Sequence, residues 1–103
     1  MGPPDRRTQR FQNVDFNVNI HQMADLLETA ASRHPDRAVR DLAKTIQASG
    51  IDKVTGMHSG GFGGGGREAD PLPHCTVRTN DRTNYHVYLT WQSGYLMIAR
   101  IGA

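Results

Sequence analysis

Two histidines, three arginines and two of the three tyrosines in the last third of this 103-residue chain could do chemistry: His74, Arg78, Arg82, Tyr85, His86, Tyr88 and Arg100. Histidine titrates near neutrality and serves as either general acid or general base. Arginine grips phosphate through a planar, bidentate fork. Together they are the side chains that metal-independent cleavage of RNA requires. One group takes the 2′-hydroxyl proton, another protonates the leaving oxygen, and cations hold the phosphate. In this reading His86 is the general base or acid and His74 its partner. Arg78, Arg82 and Arg100 clamp phosphate, and Tyr85 or Tyr88 stacks on a base or holds the phosphate. Arg67, on the glycine-rich stretch upstream, joins Tyr88 and Arg100 as a substrate-binding candidate. Solvated polar side chains on an exposed strand face are the plain alternative.

Other chemistries find less support. The run Ser59 to Gly66 is rich in glycine, but a phosphate-binding loop needs G-x-x-x-x-G-K-[ST] leading into a helix. Here Arg67, Glu68 and then prolines follow. His58, His74, Cys75 and His86 lack the C-x-x-C or H-x-x-x-H spacing of a metal site, and His74 and Cys75 point to opposite faces if both lie in a strand. No metal and no cofactor is expected. G-x-S-x-G is absent, and Cys75, opening an apolar strand, reads as a small core residue rather than a nucleophile.

The candidate residues sit on strands. From Cys75 to Ile101 the chain alternates with a period near two, as successive side chains of a pleated strand must. Tyr85, Val87, Leu89 and Trp91 take one face, and His86, Tyr88, Thr90 and Gln92 the other. Ser93-Gly94 supplies a tight hairpin turn, and Asn80 to Arg82 a longer one. The result is a three-stranded antiparallel meander. Its polar face carries His74, Thr76, Arg78, His86 and Tyr88, and Arg100 shares the face of Leu96 and Ile98 unless a bulge shifts it.

Upstream elements cover this sheet. Residues 1–12 are polar and basic and read as a flexible arm; residues 13–103 form one domain. Val14, Phe16, Val18 and Ile20 alternate as a first strand. Asn19 is suited to cap a helix, with Gln22 at capping-box spacing. Met23, Leu26, Leu27, Ala30 and Ala31 then make one apolar helical stripe, and Val39, Leu42, Ala43 and Ile46 a second. Pro35 ends the first helix or opens the next, and Gly50 closes the second. Residues 51–73 break the pattern and read as a loop, with a mobile glycine-rich part over 56–73. The predicted class is α+β: an N-terminal strand, a two-helix hairpin, a glycine-rich loop and a three-stranded antiparallel meander packed on the helices.

A chain of this length supports one modest core. The formal net charge is +2, with arginines gathered in the N-terminal arm and the last third. A basic sheet beside an acidic helical half suits a polyanion such as RNA. One cysteine excludes an internal disulfide framework and fits a reducing compartment. No apolar run reaches membrane-spanning length and the N-terminus lacks the apolar stretch of a secretory signal, so the expected location is cytoplasmic, away from membranes.

The segments Thr76-Val77-Arg78, Tyr85-His86-Val87-Tyr88 and Leu96 to Gly102 resemble the core of the RelE/ParE toxin superfamily, R-[IV]-R-x-G-x-Y-R-[VL]-x-Y followed by a strand ending near I-G. Arg78 matches the second arginine of that pattern and Tyr85 its tyrosine, while His86 replaces the arginine after the tyrosine. The Asn80–Asn84 connection is longer than usual. The chain also ends at Ala103, where many ribonuclease members place a last catalytic residue. The resemblance implies a toxin of a toxin–antitoxin system, bacterial and held by a cognate antitoxin or immunity protein. It is either a RelE-like endoribonuclease, a hydrolase acting on ribosome-bound mRNA without metal, or a ParE-like gyrase poison. The histidine-rich polar face favours the endoribonuclease. The alternative is a non-enzymatic protein-binding module that takes its partner at a sheet edge or helical face.

Overall fold

The computed structural model describes residues 18–58 and 72–102, Met57 and His58 through their backbone alone. Among these residues two helices, α1 (Ile20–Arg33) and α2 (Arg37–Ser49), precede four strands: β1 (Ile51–His58), β2 (His74–Thr79), β3 (Asn84–Gln92) and β4 (Tyr95–Gly102). The strands form one antiparallel sheet in the order β1-β2-β3-β4. The fold is α+β, with the helices on one face of the sheet.

The helix signals act as the side chains dictate. Asn19 Oδ1 accepts from the Gln22 N–H at 2.8 Å, and Gln22 Oε1 accepts from the Asn19 N–H at 2.9 Å, a reciprocal capping box. Val18 and Met23 flank this cap at the spacing of a hydrophobic staple, and both are buried. His34 ends α1 with extended backbone, φ −62° and ψ 135°, the region to which a residue before proline is confined. Pro35 falls outside both helices, because Asp36 caps α2 through the Ala38 N–H at 2.9 Å.

Both apolar stripes point at the sheet. Met23, Leu27, Val39, Ala43 and Ile46 meet Cys75, Val77, Val87, Leu89, Ile98 and Ile101 in one core. Burial of each larger side chain contributes about 1.5–3 kcal/mol. Cys75 belongs to this core, and burial pushes its thiol up to about 11, so it stays protonated and inert at neutral pH.

Three expectations are corrected. The sheet has four strands, not three. Residues 51–58, read as part of a loop, form the edge strand β1, which also takes the start of the proposed loop at 56–58. A register shift between Ile51 and Lys53 leaves Asp52 extra opposite β2, and a second lies between Thr55 and His58. An extra residue breaks the alternation by which a strand is recognised. Ile20, assigned to a first strand, opens α1 and is 43% exposed. The remainder of that strand, the basic arm and residues 59–71 of the glycine-rich loop lie outside the described residues.

The turns are locally specified. Ser93 and Gly94 both take positive φ, 51° and 88°, as a two-residue hairpin turn of right-handed twist demands. Between β2 and β3 the Asp81 carboxylate accepts from the Thr79 hydroxyl and from the Thr83 N–H. These bonds hold its pKa below the ordinary value, the Thr79 hydroxyl most of all. Gly50 joins α2 to β1 at φ 87° and ψ 150°, a region reserved for glycine. A Cβ there would lie 2.5 Å from Asn80 Nδ2, which donates to the Ser49 carbonyl at 3.0 Å.

Gly50→Ala is therefore expected to destabilise the fold by about 1–3 kcal/mol for backbone strain, on top of losing the Asn80 bond. Urea unfolding would show this as a lower midpoint at unchanged slope. In the native protein Cys75 should not react with a thiol-specific disulfide reagent at pH 8, and should react fully once guanidinium unfolds the chain. Rapid labelling without denaturant would contradict its burial.

Candidate functional site

The sheet face turned away from the helices carries the candidate chemistry. Alternation puts His74, Thr76 and Arg78 of β2 on that face, opposite the buried Cys75, Val77 and Thr79. Register aligns them with β3: His74 with Tyr88, Thr76 with His86, Arg78 with Asn84. Directly opposed residues share a face, so His74, His86 and Tyr88 form a cluster. The His74 and His86 rings lie 5.6 Å apart edge to face, and the His74 and Tyr88 rings 4.8 Å apart and tilted.

Arg100 completes the cluster through a bulge. Tyr88 pairs with Arg100 and Leu89 with Ile98, leaving Ala99 without an opposite residue. In unbroken alternation Arg100 would share the core face of Ile98. The extra residue turns Arg100 to the polar face instead, while Ile98 and Ile101 both stay buried. The guanidinium then sits over the Tyr88 ring, 3.9 Å from its centroid, a cation–π contact.

The two histidines differ in exposure. His74 is 9% exposed, walled in by the two rings beside it. His86 is more open, but its Nδ1 is hidden from solvent and has no hydrogen-bond partner among the described residues. A buried ring nitrogen without a partner costs free energy.

The remaining candidates are placed differently. Arg78 lies one row nearer the β2–β3 turn, and its Nε and Nη2 donate to Asp52 Oδ2 at 2.9 and 2.6 Å. Asp52, which the sequence reading left unassigned, is the extra residue of the β1 irregularity and reaches Arg78 from there. Arg82 is exposed in the turn at φ 70°. Tyr85 takes the opposite face, 8% exposed and packed in the core with Val77 and Val87, where it does not meet the histidines. Arg67 lies outside the described residues. Beyond the original candidates, Lys53 pairs with Arg78 and Thr55 with Thr76, adding a cation and a hydroxyl to the same face.

Among the described residues no three His, Cys, Asp or Glu side chains gather as a metal site, and no helix is long and apolar enough to cross a membrane. A cleft of about 320 Å³ opens between α1 and β4, lined by Leu26, Ala30, Arg33, Leu96 and Met97 among others. It contains none of the clustered histidines, so this cleft and the titratable cluster are separate features. Compared with protein-family models, curated proteins and solved structures, the chain matches none of them.

The Arg78–Asp52 pair is about half exposed, its side chains at 42% and 45%, and such pairs contribute about 0–1 kcal/mol. Arg78→Ala and Asp52→Ala should each lower stability by no more than about that. A double-mutant cycle should return a coupling that shrinks in high salt.

Proposed function

We propose that this domain is a metal-independent endoribonuclease whose site is the polar sheet face bearing His74, His86, Tyr88 and Arg100. The observation that carries this reading is the convergence of two histidines and an arginine on one face, within 5.6 Å for the rings and with the arginine set over Tyr88. Two titratable rings and a fixed cation are the minimum set for transesterification at phosphorus.

The step balances as follows. The RNA 2′-oxygen attacks the adjacent phosphorus as one histidine accepts its proton. The P–O5′ bond breaks, and the other histidine gives a proton to the departing 5′-oxygen. The products are a 2′,3′-cyclic phosphate and a 5′-hydroxyl end. His86, with the more accessible ring, meets the substrate first, and His74 stands behind it against Tyr88. Arg100 holds the phosphoryl oxygens as charge develops on them. Arg78 contributes once it exchanges Asp52 for phosphate, and Lys53 adds to the positive field. RNA, including ribosome-bound mRNA, is the substrate class. A toxin of this kind would be restrained in its cell by an antitoxin or immunity protein that covers this face.

Purified protein should cleave single-stranded RNA in EDTA and leave 2′,3′-cyclic phosphate ends. His86→Ala should lose about 10²–10⁴-fold in rate with its unfolding midpoint preserved. Absence of cleavage on both free and ribosome-bound RNA would end the catalytic reading.

A further inference from the structure

His34 lies outside the cluster, at the end of α1, and every polar atom it owns is engaged. Its N–H donates to the Ala30 carbonyl at 3.1 Å. Its carbonyl accepts from Arg40 Nη1 at 2.6 Å. Its Nδ1 accepts from the Asp36 N–H at 3.0 Å, which places the ring proton on Nε2. That Nε2–H faces two acceptors on β4, the carbonyls of Ile98 at 3.1 Å and Ala99 at 3.2 Å.

Those acceptors belong to the bulged residue, Ala99, and to the residue before it. Successive carbonyls of a regular strand point to opposite edges. Two neighbours that reach one nitrogen are both turned to the outer edge of β4, which happens only where the pleat is broken. Among the described residues β4 is an edge strand with only β3 beside it, and no further described strand holds these carbonyls. The same break decides which face Arg100 takes.

We propose that His34 is a positioning residue for Arg100: its Nε2–H bonds the Ile98 and Ala99 carbonyls, locks the β4 bulge, and so keeps the guanidinium over Tyr88 on the polar face. Its importance for cleavage rests on the ribonuclease reading above; its control of Arg100 does not. His34 itself is remote from any substrate on the outer face. It acts from the helix side of the sheet edge, through the backbone of three consecutive residues.

Two isosteric substitutions separate the roles of the two ring nitrogens. His34→Gln puts an amide N–H near the Nε2 position and keeps the carbonyl bonds, but loses the acceptor for the Asp36 N–H. His34→Asn keeps that acceptor and loses the donor to β4. The readout is the NMR shift of the Arg100 side-chain methylene protons, which the Tyr88 ring current moves upfield while the two stay stacked. RNA cleavage is measured beside it, resolved into kcat and KM.

His34→Gln should retain the upfield shift and most of the cleavage. His34→Asn should lose the shift, and kcat/KM should fall about 10²-fold, the penalty typical of misplacing a group by about 1 Å. The reverse pattern, with Asn retaining the shift and Gln losing it, would make His34 only a cap between the helices and overturn the proposal. So would an unchanged shift in folded His34→Asn. If His34→Asn does not fold, His34→Gln decides alone by keeping or losing the shift, and failure of both to fold would also overturn it. Should the wild type cleave no RNA, the ribonuclease reading fails while the shift still decides the role of His34.

Discussion

Ile98 and Ile101 are both buried, although they stand three residues apart on one strand. A pleated strand alternates its faces, so residues an odd number apart cannot both face the core. One extra residue between them resolves the conflict, and Ala99 is that residue. Were the bulge absent, keeping Ile98 in the core would expel Ile101 and bring Arg100 in. An unpaired guanidinium among Val87 and Leu89 would be costly to bury. The demand that two isoleucines be covered is thus what sends Arg100 to the opposite face.

The sheet divides the labour between its faces. Toward the helices, aliphatic side chains make the core of the domain. Away from them, His74, His86, Tyr88 and Arg100 are held by strands whose backbones the core already fixes. Such groups owe their mutual distances to sheet register rather than to loop conformation. Arg78 differs, because it leans on Asp52 across the β1–β2 seam and is half exposed.

Much of this was readable from residues alone, for a physical reason. The Asn19 and Gln22 cap, the stripes from Met23 to Ala31 and from Val39 to Ile46, and the alternation of β2 and β3 are local signals that tertiary packing reinforced. The grouping of His74, His86 and Tyr88 followed from the same alternation. Both edge strands carry register shifts, and there the period of two fails as a guide. Asp52 hid β1, so Ile51 and Val54 read as loop. Ala99 hid the face of Arg100, although the spacing of Ile98 and Ile101 held the clue. Tyr85 was named for its chemistry when its position in the alternation already placed it inside. His34 gave no signal, since a lone histidine before a proline carries no hint of the carbonyls it meets 64 residues later.

The sheet order repeats the chain order, so each strand finds its partner in a neighbour, and the β2–β3 and β3–β4 turns span only a few residues. The seam between α1 and β4 joins more distant residues. His34 and Ile98 are separated by 64 positions, against four for the β2–β3 turn, and closing the longer loop costs roughly 2 kcal/mol more in chain entropy. The meander pairs strands that are close in the chain, whereas the His34 bond to the β4 bulge joins distant parts of it. The strand pairings are thus set by near neighbours in the chain, and the bond from His34 to the β4 carbonyls by residues far apart in it.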